Sequence, residues 1–388
     1  MAPSPVSIDM IRRLVAFDTT SRNSNLELID FVRDYLDGFG IASRLVHDDT
    51  GTKANLYATL GPEDVGGIAL SGHTDVVPVD GQHWSSDPWT VAERDGRLYG
   101  RGTCDMKGFL AVALALVPEF LSRGLKTPVH LVLSHDEEVG CIGIRSLIDV
   151  LSAMPVRPRA CIVGEPTEMK VMVAHKGKMS MRCHVHGHEC HSSLAPAGVN
   201  AIEYAAEVIA YLRAMARRKA EQGPFDPAYD VPHTTIHTGV VHGGTALNIV
   251  PKDCYFDFEI RHIAEDDPAA LIGEVQRFAE ETLKPQMTAT APGAGFTWKE
   301  LSRIPGLATR EDEEIVALAK ALSGSNSTGK VAFATEAGLF QEVGIPTIIC
   351  GPGSIEQAHK PDEFVSLDQI AQCVAFMRRL MDRVCISS

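Results

Sequence analysis

The chain has 388 residues, 45% of them hydrophobic, and a formal net charge of −14; this favours two domains whose cores need no disulfide staples. The acidic balance argues against a reader of nucleic acid, and the densest basic run, Arg213 to Lys219, reads as a solvated helix face. Nine scattered cysteines without a Cys-x-x-Cys pair argue against a disulfide framework or a thiolate zinc site, and favour a reducing, cytoplasmic setting. The N-terminus lacks the apolar core of a signal peptide, and no run approaches the roughly 20 apolar residues of a membrane span.

In chain order, Ser7 or Asp9 is expected to cap a first helix reaching about residue 18. Residues 26–39 are amphipathic and end at Gly38 and Gly40, which suits a second. Short apolar runs bounded by turn signals follow: ASRLVH, NLYATL, GIALSG, VHLVLSHD and ACIVGE, with a helical stretch over 108–122. Strands alternating with helices predict an α/β domain with a mixed, largely buried sheet and helices on both faces.

The pattern changes near Gly177. KMSMRCHVHG alternates with period two, residues 200–219 read as a long helix, and HTTIHTGVVHGG and ALNIVPKDCYFDFEIRHI read as strands. A helix from Asp266-Asp267-Pro268 to about residue 282 and a strand at FTWKEL complete a β-α-β-β-α-β order, that of a small ferredoxin-like α+β domain. Helix and strand alternation then returns, through EDEEIVALAKAL and PTIICG to a last helix from Leu367. The expected organisation is a catalytic domain over 1–177 and 304–388 with a smaller domain inserted at 178–303. His175-Lys176-Gly177 and Pro305-Gly306 would be the hinges.

Five stretches set acids or histidines beside glycine or at strand ends. They are GHTDVVP (His73, Asp75), GRGTCDMKG (Asp105), SHDEEVG (Asp136, Glu137, Glu138), VGEPT (Glu165) and GSIEQAHKPDE (His359). Sites in open α/β sheets form beyond the carboxyl ends of strands, so these stretches can converge. Two histidines with several carboxylates and no thiolate suit a hydrolytic divalent-metal site, where a bridging carboxylate joins two ions and a further carboxylate moves protons. Adjacent Glu137 and Glu138 can divide those tasks. Cys104 reads as packing rather than as a nucleophile.

GHTDVVPV, GRGTCDMKG, DEEVGCIG, VGEPT and AHKPDEF together resemble the dinuclear zinc aminoacylases and carboxypeptidases known as M20 peptidases. GHECHSSLAPAGVNAI and GGTALNIVP are similar to the lid motifs of that family. The resemblance implies two zinc ions per subunit, cobalt being an alternative. His73 and Glu165 would hold one ion, Glu138 and His359 the other, with Asp105 as the bridge. It also implies that Asp75 orients His73, that Glu137 is the general base, and that His191 steadies the oxyanion. Asn248 and Arg261 would contact substrate, and the inserted domain would serve as a lid and join two copies in a homodimer.

HKGKMS, ATEAGLF and CGPGSIEQAHKPDEF are similar to the acetylornithine deacetylase branch of the family. That implies hydrolysis of N2-acetyl-L-ornithine to acetate and L-ornithine, a step of arginine biosynthesis, with Glu336 meeting the distal ammonium of the substrate. Succinyl-diaminopimelate desuccinylase or a broader N-acyl-amino-acid deacylase is the alternative. A non-catalytic relative is disfavoured, because Glu137 and all five ligand positions are intact.

Overall fold

The structure, a computed structural model, describes residues 5–385. The chain divides into two compact units. One comprises the residues up to Ala174, Leu307–Lys330 and those from Thr335 onward; the other comprises His175–Gly306 and Val331–Ala334. No helix among the described residues is long and apolar enough to cross a membrane.

In the larger unit one mixed sheet runs across the strands Ser43–His47, Ala54–Leu60, Val129–Ser134, Ile68–His73, Ala160–Pro166, Thr347–Gly351, Val171–His175 and Leu307–Ala308, in that order. Thr328–Val331 pairs with Val171–His175 off this path. The four central strands, Val129–Ser134 to Thr347–Gly351, are parallel. Every residue of those four is buried, which is why they read as unbroken apolar runs rather than as alternation. Helices Pro5–Val15 and Leu367–Val384 pack on Lys107–Ala115, which lies against the Ile68–His73 strand. Helices Ile144–Ser152 and Ala337–Glu342 pack on one another and against Ala54–Leu60 and Ala160–Pro166.

Three departures from expectation stand out. Ser7 and Asp9 lie inside the first helix, which already includes Pro5, and Ser7 is buried; proline suits a first turn, where its missing N–H satisfies no intrahelical bond. The helix expected over 108–122 is two, Lys107–Ala115 and Val117–Arg123, divided at Leu116. Pro118 causes the break, since it cannot donate to the Leu114 carbonyl; the Tyr35 hydroxyl donates there instead, at 3.1 Å. Ala92–Arg94, Arg97–Tyr99 and Phe364–Ser366 form a small separate sheet, each strand too short to show a period.

The smaller unit has an antiparallel sheet in the order Thr235–Gly243, Asp253–His262, Gly177–His186, Gly295–Ile304. Burial alternates along Gly177–His186 and Asp253–His262. Met179, Met181, Cys183 and Val185, with Phe256, Phe258 and Ile260, face a core shared with helices Ala201–Gln222 and Pro268–Arg277. Asn200 and Asp267 cap those two helices by accepting main-chain N–H bonds from their first turns. The other face of the sheet is polar, with Arg182, His184 and His186 beside Asp253, Tyr255 and Asp257.

Candidate metal centre

The parallel strands end at one place. His73 is the last residue of Ile68–His73, Glu137 and Glu138 follow Val129–Ser134, and Glu165 is the penultimate residue of Ala160–Pro166. Gly164 lets that last strand pass close to a helix, because a Cβ there would lie 2.0 Å from the Phe109 ring. Asp136 turns the chain just past the second strand with φ +55°, a conformation few non-glycine residues adopt. Its carboxylate meets Lys53 and His135, so of the Asp-Glu-Glu run only the two glutamates join the cluster.

Asp105 is the hub. One of its oxygens lies 3.1 Å from His73 Nε2 and the other 3.2 Å from His359 Nε2. His359 Nε2 is also 3.0 Å from Glu138 Oε2, and Glu165 Oε1 is 3.7 Å from His73 Nε2. His73, Asp105 and Glu165 are buried, whereas the His359 side chain is 54% exposed. Donor atoms of His73, Asp105 and Glu138, and those of His73, Glu137 and Glu165, form two groups that each fall within 4.8 Å.

The electrostatics follow from crowding acids away from water. Burial, reinforced by Glu138, Asp75 and Asp105, pushes the Glu137 carboxyl up to about 8 despite His73. Burial and Asp105 push Glu138 up to about 7, and burial raises Glu165 far above the usual range. Burial acts in the same direction on Asp105, but hydrogen bonds from His359 and His73 outweigh it and hold this carboxyl low. The bonds to Asp105 and Glu138 lift His359 to about 10. Burial opposes the charged form of His73, yet Asp105 and Glu165 still raise it well above its ordinary value. Such a set demands positive charge, and its oxygen and imidazole donors fit divalent cations of the zinc type.

Asp75 is buried in the cluster, but the group that orients His73 is its main chain. His73 Nδ1 lies 2.8 Å from the Asp75 carbonyl oxygen and 3.6 Å from the nearer carboxylate oxygen. The carboxylate instead accepts from the N–H groups of Glu137 and Glu138, at 3.1 and 3.3 Å, and from the Ser21 hydroxyl. It therefore shapes the turn that presents both glutamates. Cys141 Sγ lies 3.2 Å from Glu137 Oε1.

Glu336 needs correction. Expected to meet a substrate ammonium, it is fully buried, and its two oxygens accept from Ser71 and Ser134 hydroxyls at 2.6 Å each. Each oxygen is engaged by one of the strands that carry His73 and the Glu137-Glu138 turn, so Glu336 acts as a staple beneath the centre. Cys104 is buried too, and burial pushes its thiol far above the range of a nucleophile.

Three positioning residues escaped the sequence reading. Buried Glu363 accepts main-chain N–H bonds from Gly102, Cys104 and Asp105 at 3.0, 2.8 and 3.1 Å, and pairs with Arg101 at 2.7 Å. Arg101 in turn bonds Gln82, whose amide donates to the His359 carbonyl. The chain Glu363, Arg101, Gln82 thus links the Asp105 loop to the His359 loop. The signal was present, since Glu363 ends the quoted run GSIEQAHKPDE.

The remaining expected residues belong to the smaller unit. His191 is exposed at the start of the short 3₁₀ helix Ser192–Ala197, its Nδ1 accepting from the Ser193 N–H at 3.2 Å. Its loop pairs with the Asn248 loop: Ser192 N–H donates to Asn248 O, and His191 bridges to Ile249. Arg261 lies on the Asp253–His262 strand and bonds Glu259 at 2.8 Å.

Comparison with known proteins adds to this geometry. The profile of peptidase family M20/M25/M40 matches residues 69–383. The acetylornithine deacetylase of Photorhabdus laumondii is 35% identical over 393 residues, covering 99% of this chain and 98% of its own. Among solved structures, the M20 family metallo-carboxypeptidase Sso-CP2 of Sulfolobus solfataricus superposes with a TM-score of 0.75 at 16% identity, covering 97% and 98% of the two chains. The Bacillus subtilis YXEP protein, described as a dinuclear metal binding peptidase, gives 0.66 at 16%, covering 97% and 96%. The chain belongs to peptidase family M20/M25/M40 and is a hydrolase that acts on an amide bond.

Proposed function

We propose that the chain hydrolyses N2-acetyl-L-ornithine to acetate and L-ornithine with two divalent cations, zinc foremost. The observation that carries the reading is Asp105, with a histidine Nε2 facing each of its oxygens at 3.1 and 3.2 Å. The full-length similarity to an acetylornithine deacetylase supports the acyl group and the amine, and the dinuclear YXEP protein supports the count of two ions.

His73, Glu165 and Asp105 would hold one ion, and His359, Glu138 and Asp105 the other. When bound, the ions polarise the acyl carbonyl and acidify a water. Glu137 takes a proton from the attacking water as its oxygen bonds to the acyl carbon. It returns that proton to the nitrogen as the C–N bond breaks. Asp75 and Glu363 hold the turns that carry Glu137, Glu138 and Asp105. By their motifs, His191 is assigned to the developing oxyanion and Asn248 and Arg261 to the substrate, Arg261 through its fork of donors to a carboxylate.

The inserted unit would join two copies. Its Thr235–Gly243 strand is at a sheet edge, with Val240 and Val241 40% and 55% exposed, a surface suited to strand pairing; light scattering tests this. Nine cysteines without a disulfide suit the cytoplasm.

The direct assay is ornithine release from N-acetyl-L-ornithine by metal-loaded protein, with a chelated control and N-succinyl-diaminopimelate in parallel. Chelator-sensitive release from the acetyl compound is expected. Turnover of the succinyl compound alone would overturn the substrate and retain the chemistry.

A further inference from the structure

Apart from the centre, the described residues hold one more group of histidine and acid donors within 4.8 Å: His184, His186 and Asp253. We propose that this triad is a second, independent metal site, taking a first-row transition-metal ion from the zinc and copper end of the series. It stands apart from the proposed function and lies entirely within the smaller unit.

Strand geometry builds the site. His184 and His186 are two apart on Gly177–His186, so both point from the polar face of the sheet. Asp253 is the cross-strand partner of His186 on Asp253–His262. The two rings lie with centroids 4.1 Å apart. His184 Nε2 is 3.3 Å from Asp253 Oδ1, and His186 Nδ1 is 3.9 Å from the same oxygen. A tetrahedral ion with bonds of about 2.0–2.1 Å needs donors about 3.3–3.4 Å apart. The first pair already has that spacing, and a small turn of the partly exposed His186 ring brings in the second.

A neighbouring hydroxyl can accept the proton of the metal-binding tautomer. Thr297, on the neighbouring Gly295–Ile304 strand, holds His186 Nε2 at 3.0 Å. With the proton on Nε2, Nδ1 presents its lone pair toward Asp253, as an outer hydrogen bond does for metal-bound imidazole. Two imidazoles and one carboxylate select zinc, copper, nickel or cobalt over magnesium or calcium. Three protein donors leave a position for water or another ligand. His184 and Asp253 also line a pocket of about 240 Å³ with Glu189, His242 and Tyr255, which gives such a ligand room.

The test is zinc binding by the full chain in equilibrium dialysis, comparing wild type, His184→Asn/His186→Asn and Asp253→Asn. Wild type should hold one zinc per chain more than the double variant, half-saturated at micromolar free zinc. The double variant should lose that equivalent, and Asp253→Asn should weaken it about tenfold. Matching melting of the metal-free proteins establishes that the loss is local. If melting differs, substoichiometric Cu²⁺ added to the zinc-loaded wild type replaces the variants: a spin-resonance spectrum split by two nitrogens supports the site. Identical stoichiometry and isotherm in the double variant, or a copper spectrum without nitrogen splitting, overturns it.

Discussion

Two arginine–carboxylate pairs of nearly equal length stand in very different surroundings. Arg101 and Glu363, in the larger unit, meet at 2.7 Å with both side chains at most 1% exposed. Arg182 and Asp257, on the polar face of the smaller unit, meet at 2.7 and 2.8 Å in a two-point grip with side chains 39% and 21% exposed. The contacts are alike; what differs is the cost of removing one partner. Around Glu363 three main-chain N–H groups and a buried guanidinium have no water to turn to. Around Asp257 water replaces whatever the protein loses. The same contrast separates the candidate centre, where burial and neighbouring carboxylates raise Glu137, Glu138 and Glu165, from His184, His186 and Asp253, which stay partly wet.

The largest expected effect tests the buried side of that contrast. Glu137→Gln keeps the shape and every metal donor of the centre but removes the proton carrier. Its kcat should fall by about 10²- to 10⁴-fold, up to about 5 kcal/mol of barrier, with the metal content by elemental analysis unchanged. A fall of less than tenfold would remove Glu137 from the mechanism. Stripping the metals with a chelator should abolish turnover, and zinc or cobalt should restore it.

Next in size is Glu363→Ala. It leaves the Arg101 charge buried and unpaired, an effect of about 3–5 kcal/mol. Denaturant melting should register that loss at low and at high salt, because the pair lies beneath the reach of mobile ions. Activity should fall with it, since Glu363 holds the Asp105 loop and, through Arg101 and Gln82, the His359 loop.

His130 extends the contrast to pH. It sits in the Val129–Ser134 strand with Nδ1 2.8 Å from the Tyr57 hydroxyl, and burial lowers it from 6.5 to about 4. The folded state therefore keeps it neutral, while the unfolded chain binds its proton below about 6.5. Stability from this residue is complete above that pH and is lost as the pH falls toward 4, by up to about 3 kcal/mol. In His130→Gln the slope of stability against pH between 4 and 6.5 should flatten relative to wild type. An unchanged slope would sink the assignment.

Much of the architecture was legible because it rests on local rules. Buried parallel strands show as apolar runs, the inserted sheet as strict alternation, and Asp267-Pro268 as a helix start. His73 and Glu165 were legible because each closes an apolar strand beside glycine or proline, and Asp105, Glu138 and His359 because they stand in short acid- and histidine-bearing stretches that resemble the family's motifs. What stayed hidden depends on partners far along the chain. Glu336 meets serines 265 and 202 positions away, so nothing near it reveals that both of its oxygens are taken. Glu363 meets Arg101 across 262 positions. The Asp75 carboxylate serves the Glu137 turn rather than His73, a division between main chain and side chain that no residue pattern encodes.

The smallest effect is the sharpest control. Asp257→Asn on the polar face removes half of a pair as short as that of Arg101. Arg182 is not stranded by the change, since its guanidinium also lies 4.2 Å over the Tyr255 ring and has water beside it. The amide oxygen of the new side chain can still accept one hydrogen bond. The melting temperature should drop by less than about 2 °C at low salt, and molar salt should erase even that, because mobile ions screen an exposed pair. Turnover should stay within twofold of wild type. The salt response is the decisive reading. If Asp257→Asn destabilised the chain as much as Glu363→Ala and kept that effect in molar salt, geometry rather than burial would set the strength of these pairs. The contrast between the two regions would then fail.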